Sequence, residues 1–132
     1  MPLKILYAED HKVLRDHLAE VMVGMGHTVE AVDDGKHVLD LLKSGHKCNV
    51  VVTDNQMPNI WGVEVLKQIR AQEEFKKLPV IVLSSMTTIA NDVRKLGGIF
   101  MPKGLDQNSR GSDTENELNV LRGSLDLIEF LA

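Results

Sequence analysis

Two apolar runs, Val50-Val51-Val52 and Val80-Ile81-Val82-Leu83, limit the possible folds of this chain more than any other feature. Neither run alternates with polar residues. Strands covered on both faces read this way, and they belong to parallel sheets with helices on either side. The first run continues through Thr53 to Asp54 and then Asn55-Gln56-Met57-Pro58, so a buried strand ends abruptly in a carboxylate and a turn. Ligands of open α/β sheets sit outside the carboxyl ends of such strands, and Asp54 stands in that place. A lone Asp closing a strand is more often a plain turn residue. The rest of the chain decides between the two readings.

Strand and helix patterns alternate throughout. Residues 3–8 form a first strand that ends in the adjacent acids Glu9 and Asp10. Val13, Leu14, Leu18, Val21, Met22 and Met25 recur at helical spacing until Gly24 and Gly26 stop the helix. Residues 28–32 make a second strand, and Asp33-Asp34-Gly35 turns into a helix bearing Val38, Leu39, Leu41 and Leu42. After the Asp54 strand, Gly62, Val65, Leu66 and Ile69 lie on a third helix with a charged tail through Lys77. A fourth strand runs from Pro79 to Ser84, with Pro at its first position. Ile89, Val93 and Leu96 mark a short fourth helix, and residues 99–101 a brief fifth strand. Residues 105–116 are polar and read as a loop; a last helix carries Leu118, Leu121, Leu125, Ile128 and Leu131.

Five βα units predict a parallel sheet with helices on both faces. For five strands the flavodoxin-like order 2-1-3-4-5 is the natural choice, with its crevice between strands 1 and 3. That order brings Glu9, Asp10 and Asp54 together. Like charges at one crevice raise at least one pKa unless a cation is bound. Oxygen-only ligands of this kind suit Mg²⁺. Ser84 closes strand 4 and Lys103 follows strand 5, so both are expected at the rim that holds Asp54. A Lys is a point charge suited to a phosphoryl group.

The 132 residues form one expected domain, 1–132, and no effector domain is visible. The net charge of -4 and the lack of a basic block give no case for nucleic acid. No stretch approaches membrane-span length, and the N-terminus does not open a signal peptide. The single Cys48 excludes an internal disulfide and fits a reducing compartment, so a cytoplasmic location is expected. The five histidines show no metal-ligand spacing; only His11 stands beside the acids.

Glu9-Asp10, Asp54 followed by Met57-Pro58, Ser84 after its apolar run, and Lys103 after Phe100 together resemble the receiver domain of bacterial two-component response regulators, over residues 3–103. The resemblance implies that Asp54 accepts a phosphoryl group from a sensor histidine kinase, a phosphotransfer protein or a small acyl phosphate. It implies Mg²⁺ held by Asp10, Asp54 and the backbone carbonyl of Gln56, with Glu9 acting through metal-bound water. Lys103 would pair with the phosphoryl group and Ser84 would hydrogen-bond it. Phe100 would be an aromatic switch following Ser84. Gln56 and Met86 stand where similar domains tune phosphoryl lifetime. Such a module catalyses its own phosphorylation and slow dephosphorylation, and is not a turnover enzyme. It would signal to an output protein that the sequence does not name, and a homodimer is one outcome for the surface of helix 4, strand 5 and helix 5.

Departures from the pattern fall in that surface. Pro102-Lys103-Gly104 stands where Pro usually follows the Lys, helix 4 is trimmed, and Trp61 replaces a smaller polar residue near the acids. They keep a phosphorylation-independent pseudo-receiver in view. A flavodoxin-like cofactor binder is disfavoured because Glu9-Asp10-His11 repels phosphate where backbone NH groups should cradle it. A metal-dependent phosphatase is disfavoured because Gln56 cannot act as a general acid.

Overall fold

The computed structural model describes residues 2–103 and 111–131; in the last helix, side chains are described from Leu118 onward. In chain order the elements are β1 (Lys4–Ala8), α1 (Lys12–Gly24), β2 (Thr28–Val32), α2 (Gly35–Lys43), β3 (Val50–Asp54), α3 (Gly62–Ala71), β4 (Val80–Ser84), α4 (Ala90–Lys95), β5 (Ile99–Pro102) and α5 (Gly111–Leu131). The five strands form one sheet in the order β2-β1-β3-β4-β5, and each of the four pairs is parallel. This is the expected flavodoxin-like order.

Strand alternation sorts the core into two layers. Leu6, Ala8, Val51, Val80 and Val82 pack with residues of α2, α3 and α4. Ile5, Tyr7, Val50, Val52, Ile81, Leu83 and Met101 pack with residues of α1 and α5. Both layers bury their apolar side chains almost completely, which is why β3 and β4 carry no polar alternation.

Helix starts follow local chemistry. Asp34 caps α2 by accepting the His37 N–H at 2.9 Å, as the Asp33-Asp34-Gly35 reading required. His11 caps α1 through Nδ1, which accepts the Leu14 N–H at 3.4 Å. Helix α4 has only six residues, in line with the trimmed segment expected there.

Six expectations need correction. Leu131 is 72% exposed and does not join Leu121, Leu125 and Ile128 in the buried layer. Val13 is exposed, not on the buried face of α1. At about 3.6 residues per turn it lies nearly opposite the line through Leu14, Leu18 and Met22. The charged tail after Ile69 does not extend α3, which ends at Ala71 and passes into a 3₁₀ turn at Glu73–Phe75. Pro79 precedes β4 instead of opening it, and its carbonyl accepts the Val51 N–H at 2.9 Å. Strand β5 runs on to Pro102, which an edge strand tolerates. The loop expected over 105–116 is helical from Gly111, while 104–110 lie outside the described residues. Ser, Asp, Thr and Glu suit a loop and equally suit the first turns of a helix, so composition did not separate the two.

Candidate functional site

Strand ends set the site. Side chains of Val50 and Val52 point to the α1/α5 layer, so Asp54 continues on that face. Met101 lies on the same face, and Lys103 two residues later reaches back over the sheet. Its Nζ donates to Asp54 Oδ1 at 3.0 Å and to Glu9 Oε1 at 3.1 Å. Glu9 is 1% exposed and Asp54 8%, while Asp10 is exposed. Oxygen atoms of Glu9, Asp10 and Asp54 come within 4.8 Å of one another. Four of the residues read from the sequence are thus brought together.

Electrostatics inside this cluster are unbalanced. Three carboxylates face one ammonium, a formal charge of -2 (three negatives, one positive). Burial is the largest influence on Glu9 and holds its pKa above the usual carboxylate range; Lys103 opposes this and Asp54 adds to it. Burial also works against the Lys103 ammonium, but Asp54 and Glu9 outweigh it and raise the Lys pKa. A hard divalent cation fits this donor set, because it would neutralise the excess charge with oxygen ligands alone.

Three residues with no site role in the sequence, Arg15, Asn55 and Gly62, hold the crevice in shape. Arg15 donates from Nη1 to the carbonyl oxygens of Glu9 at 2.9 Å and Asp10 at 3.5 Å, fixing the acid loop from α1. Asn55 is fully buried. Its Oδ1 accepts the Val63 N–H at 3.0 Å and its carbonyl accepts the Gly62 N–H at 2.8 Å. Trp61, the N-cap of α3, makes no side-chain cap bond, so Asn55 satisfies the start of α3 from the loop after Asp54. Gly62 packs directly on that loop: a Cβ there would collide with the Asp54 carbonyl oxygen and lie 3.0 Å from Asn55 Cα. The Gly at 62 is legible in sequence; its reason is not.

Ser84 and Phe100 take a different course. Val80 and Val82 face the α2–α4 layer, so Ser84 does too, and half-buried Phe100 packs in that layer. The Ser84 hydroxyl accepts the Met86 N–H at 2.9 Å. Its link to the acid cluster runs through backbone: the Lys103 N–H donates to the Ser84 carbonyl at 3.0 Å. Gln56 is exposed on the loop after Asp54.

Comparison with known proteins extends this picture. The family model described as "Response regulator receiver domain" matches residues 5–99. A two-component response regulator of Oryza sativa subsp. indica, ORR11, is 36% identical over 84 residues, 64% of this chain and 57% of that protein. Chemotaxis protein CheY-3 of Vibrio cholerae is 40% identical over 85 residues, 63% of this chain and 64% of that protein. The matched stretch therefore spans less than two thirds of either relative. The solved Francisella response regulator 1452 receiver domain superposes with a TM-score of 0.78 at 23% identity, covering 96% of this chain and 95% of that one. With a match over residues 5–99 laid on a sheet of this order, the chain belongs to the response regulator receiver domain family.

Proposed function

We propose that the chain is a single phosphoacceptor receiver domain and that Asp54 is the acceptor. The observation that carries this is the Lys103 ammonium held at 3.0 Å from Asp54 Oδ1 beside a second buried carboxylate. An Asp54 oxygen attacks the phosphorus of a phosphohistidine on a sensor kinase or phosphotransfer protein, or of a small acyl phosphate. The P–N or P–O bond breaks, the leaving group departs with its electron pair, and an acyl phosphate forms on Asp54. Lys103 stabilises the charge on the transferred group, and Arg15 keeps the acid loop in place meanwhile. Glu9, Asp10 and Asp54, with the Gln56 carbonyl, are the groups that would hold Mg²⁺, which when bound supplies neutralisation of phosphoryl charge. Ser84 turns from the Met86 N–H to the phosphoryl group, and Phe100 follows into the space it leaves. The output is contact with another protein, in a cytoplasmic setting that the free thiol of Cys48 suits.

A second reading, a pseudo-receiver that binds without phosphoryl transfer, is favoured by one observation: the Ser84 hydroxyl is engaged by Met86, away from the acids. Phosphorus NMR with a small phosphoramidate and Mg²⁺ separates the two. The acceptor reading predicts a protein acyl phosphate signal that hydroxylamine removes. A spectrum with donor signals alone supports the pseudo-receiver.

A further inference from the structure

The turn after Asp54 is bent by one strained residue. Asn59 has a φ of 71°, and the Ile60 N–H donates to the Pro58 carbonyl, two residues back, at 2.8 Å. This is a γ-turn of the positive-φ hand, which is rare and strained. Among the described residues Asn59 is the only one other than Gly with positive φ. Such strain costs free energy and persists where surrounding contacts over-determine the backbone.

Those contacts come from α2, an element outside the acid cluster. Asp34 uses both of its carboxylate oxygens there. Oδ1 accepts the His37 N–H at 2.9 Å and caps α2, while Oδ2 accepts from Asn59 Nδ2 at 3.1 Å, 25 residues along the chain. Capping needs one oxygen only, and Ser would supply it as well as Asp. The second oxygen serves the turn. Gly35, the buried first residue of α2, packs against the residues on both sides of Pro58-Asn59. A Cβ there would collide with the Ile60 side chain and stand 3.4 Å from Met57 Cε. The turn and the start of α2 therefore form one packed unit.

We propose, on the metal reading given above in which the Gln56 carbonyl is a ligand, that Asp34 and Asn59 are positioning residues for Mg²⁺. Their bond holds the strained turn, fixes the course of the backbone that carries the Gln56 carbonyl, and couples α2 to the metal. Gln56 lies only three residues before Asn59. Groups that orient a metal ligand are commonly worth about tenfold or more in affinity. Coupling is reciprocal, so whatever the bond adds to Mg²⁺ affinity, bound Mg²⁺ returns to the bond and to the cap beside it. A bond that only shaped the surface would leave metal affinity alone.

Calorimetric titration of the whole chain with Mg²⁺, beside melting curves without metal, tests this. Asp34→Ser keeps the α2 cap and loses the second oxygen, so its melting temperature should stay near that of the parent. Its Mg²⁺ affinity should fall about tenfold. Asn59→Gly accepts the positive φ without strain and loses the side-chain bond, so a similar fall is expected. Both variants remove the same bond, so the double variant should bind Mg²⁺ no worse than the weaker single one. In the parent, hydrogen exchange at the His37 and Ile60 N–H should slow when Mg²⁺ is added. A parent that takes up no Mg²⁺ defeats the metal reading and the positioning role with it. A parent that binds but leaves both amides unchanged, single variants that bind as well as the parent, or losses that simply add, each overturn the positioning role and leave the metal reading standing.

Discussion

Asp54 and Ser84 end neighbouring strands, yet their side chains leave the sheet on opposite faces. On the Asp54 side, contacts are already made. Lys103 bridges Asp54 and Glu9, Arg15 pins the acid loop, and Asn55 ties that loop to α3. On the Ser84 side the hydroxyl is committed to a local turn, beside a six-residue α4 and a half-buried Phe100. The difference separates two jobs. Under the proposed phosphoryl transfer, the acid half is preorganised for chemistry, where positioning supplies most of the catalysis. On the same proposal, the hydroxyl half is the part that rearranges to signal.

Several changes would break or sharpen that contrast. The largest effect is expected from Lys103→Met, which removes the only cation seen bonded to Asp54 among the described residues. Adduct formation with a small acyl phosphate should slow about 100-fold or more. Ser84→Ala should slow it far less, by about tenfold at most, because its hydroxyl contributes one neutral hydrogen bond. Equal losses would erase the distinction between the halves.

Gly62→Ala should destabilise the fold by about 3 kcal/mol in urea unfolding. Two terms compete. Ala suits a helix start better than Gly by less than about 1 kcal/mol. The collision is with the backbone of Asp54 and Asn55, which cannot swing aside, so sterics win. A neutral result would mean the loop after Asp54 is not packed as tightly as described.

Alkaline pH offers a smaller effect with a definite sign. The Lys103 pKa is raised above its ordinary 10.5 in the folded chain. A Lys with a raised folded pKa contributes stability that is fully present below the ordinary value and lost as pH climbs through the folded one. Between about pH 10 and 12 the parent melting temperature should therefore fall more than that of Lys103→Met. Parallel curves would show that the ion pair adds nothing.

The smallest and most local effect concerns one amide. Hydrogen exchange at the Met86 N–H should speed up when the chain is phosphorylated, because Ser84 releases it. Exchange at the Val63 N–H, held by Asn55, should stay unchanged. The opposite pattern would reverse the assignment of rigid and mobile halves.

How much of this was legible in the sequence depends on the kind of contact. Glu9, Asp10, Asp54 and Lys103 were legible because each closes a strand, and sheet order alone brings strand ends together. The direction of Ser84 follows from the alternation of Val80 and Val82, although the residue reading placed it simply at the rim. Arg15 and Asn55 were not legible, since both bond backbone atoms of loops whose path no periodicity records. The start of α5 was missed because its opening residues suit a loop as well as a helix.

Intact-protein mass after incubation with a small acyl phosphate and Mg²⁺, run beside Asp54→Asn, tests the central claim most directly. One added phosphoryl group on the parent, absent from Asp54→Asn and absent without metal, is the predicted result. A parent that gains no mass, or an Asp54→Asn chain that gains as much as the parent, would contradict Asp54 as the acceptor.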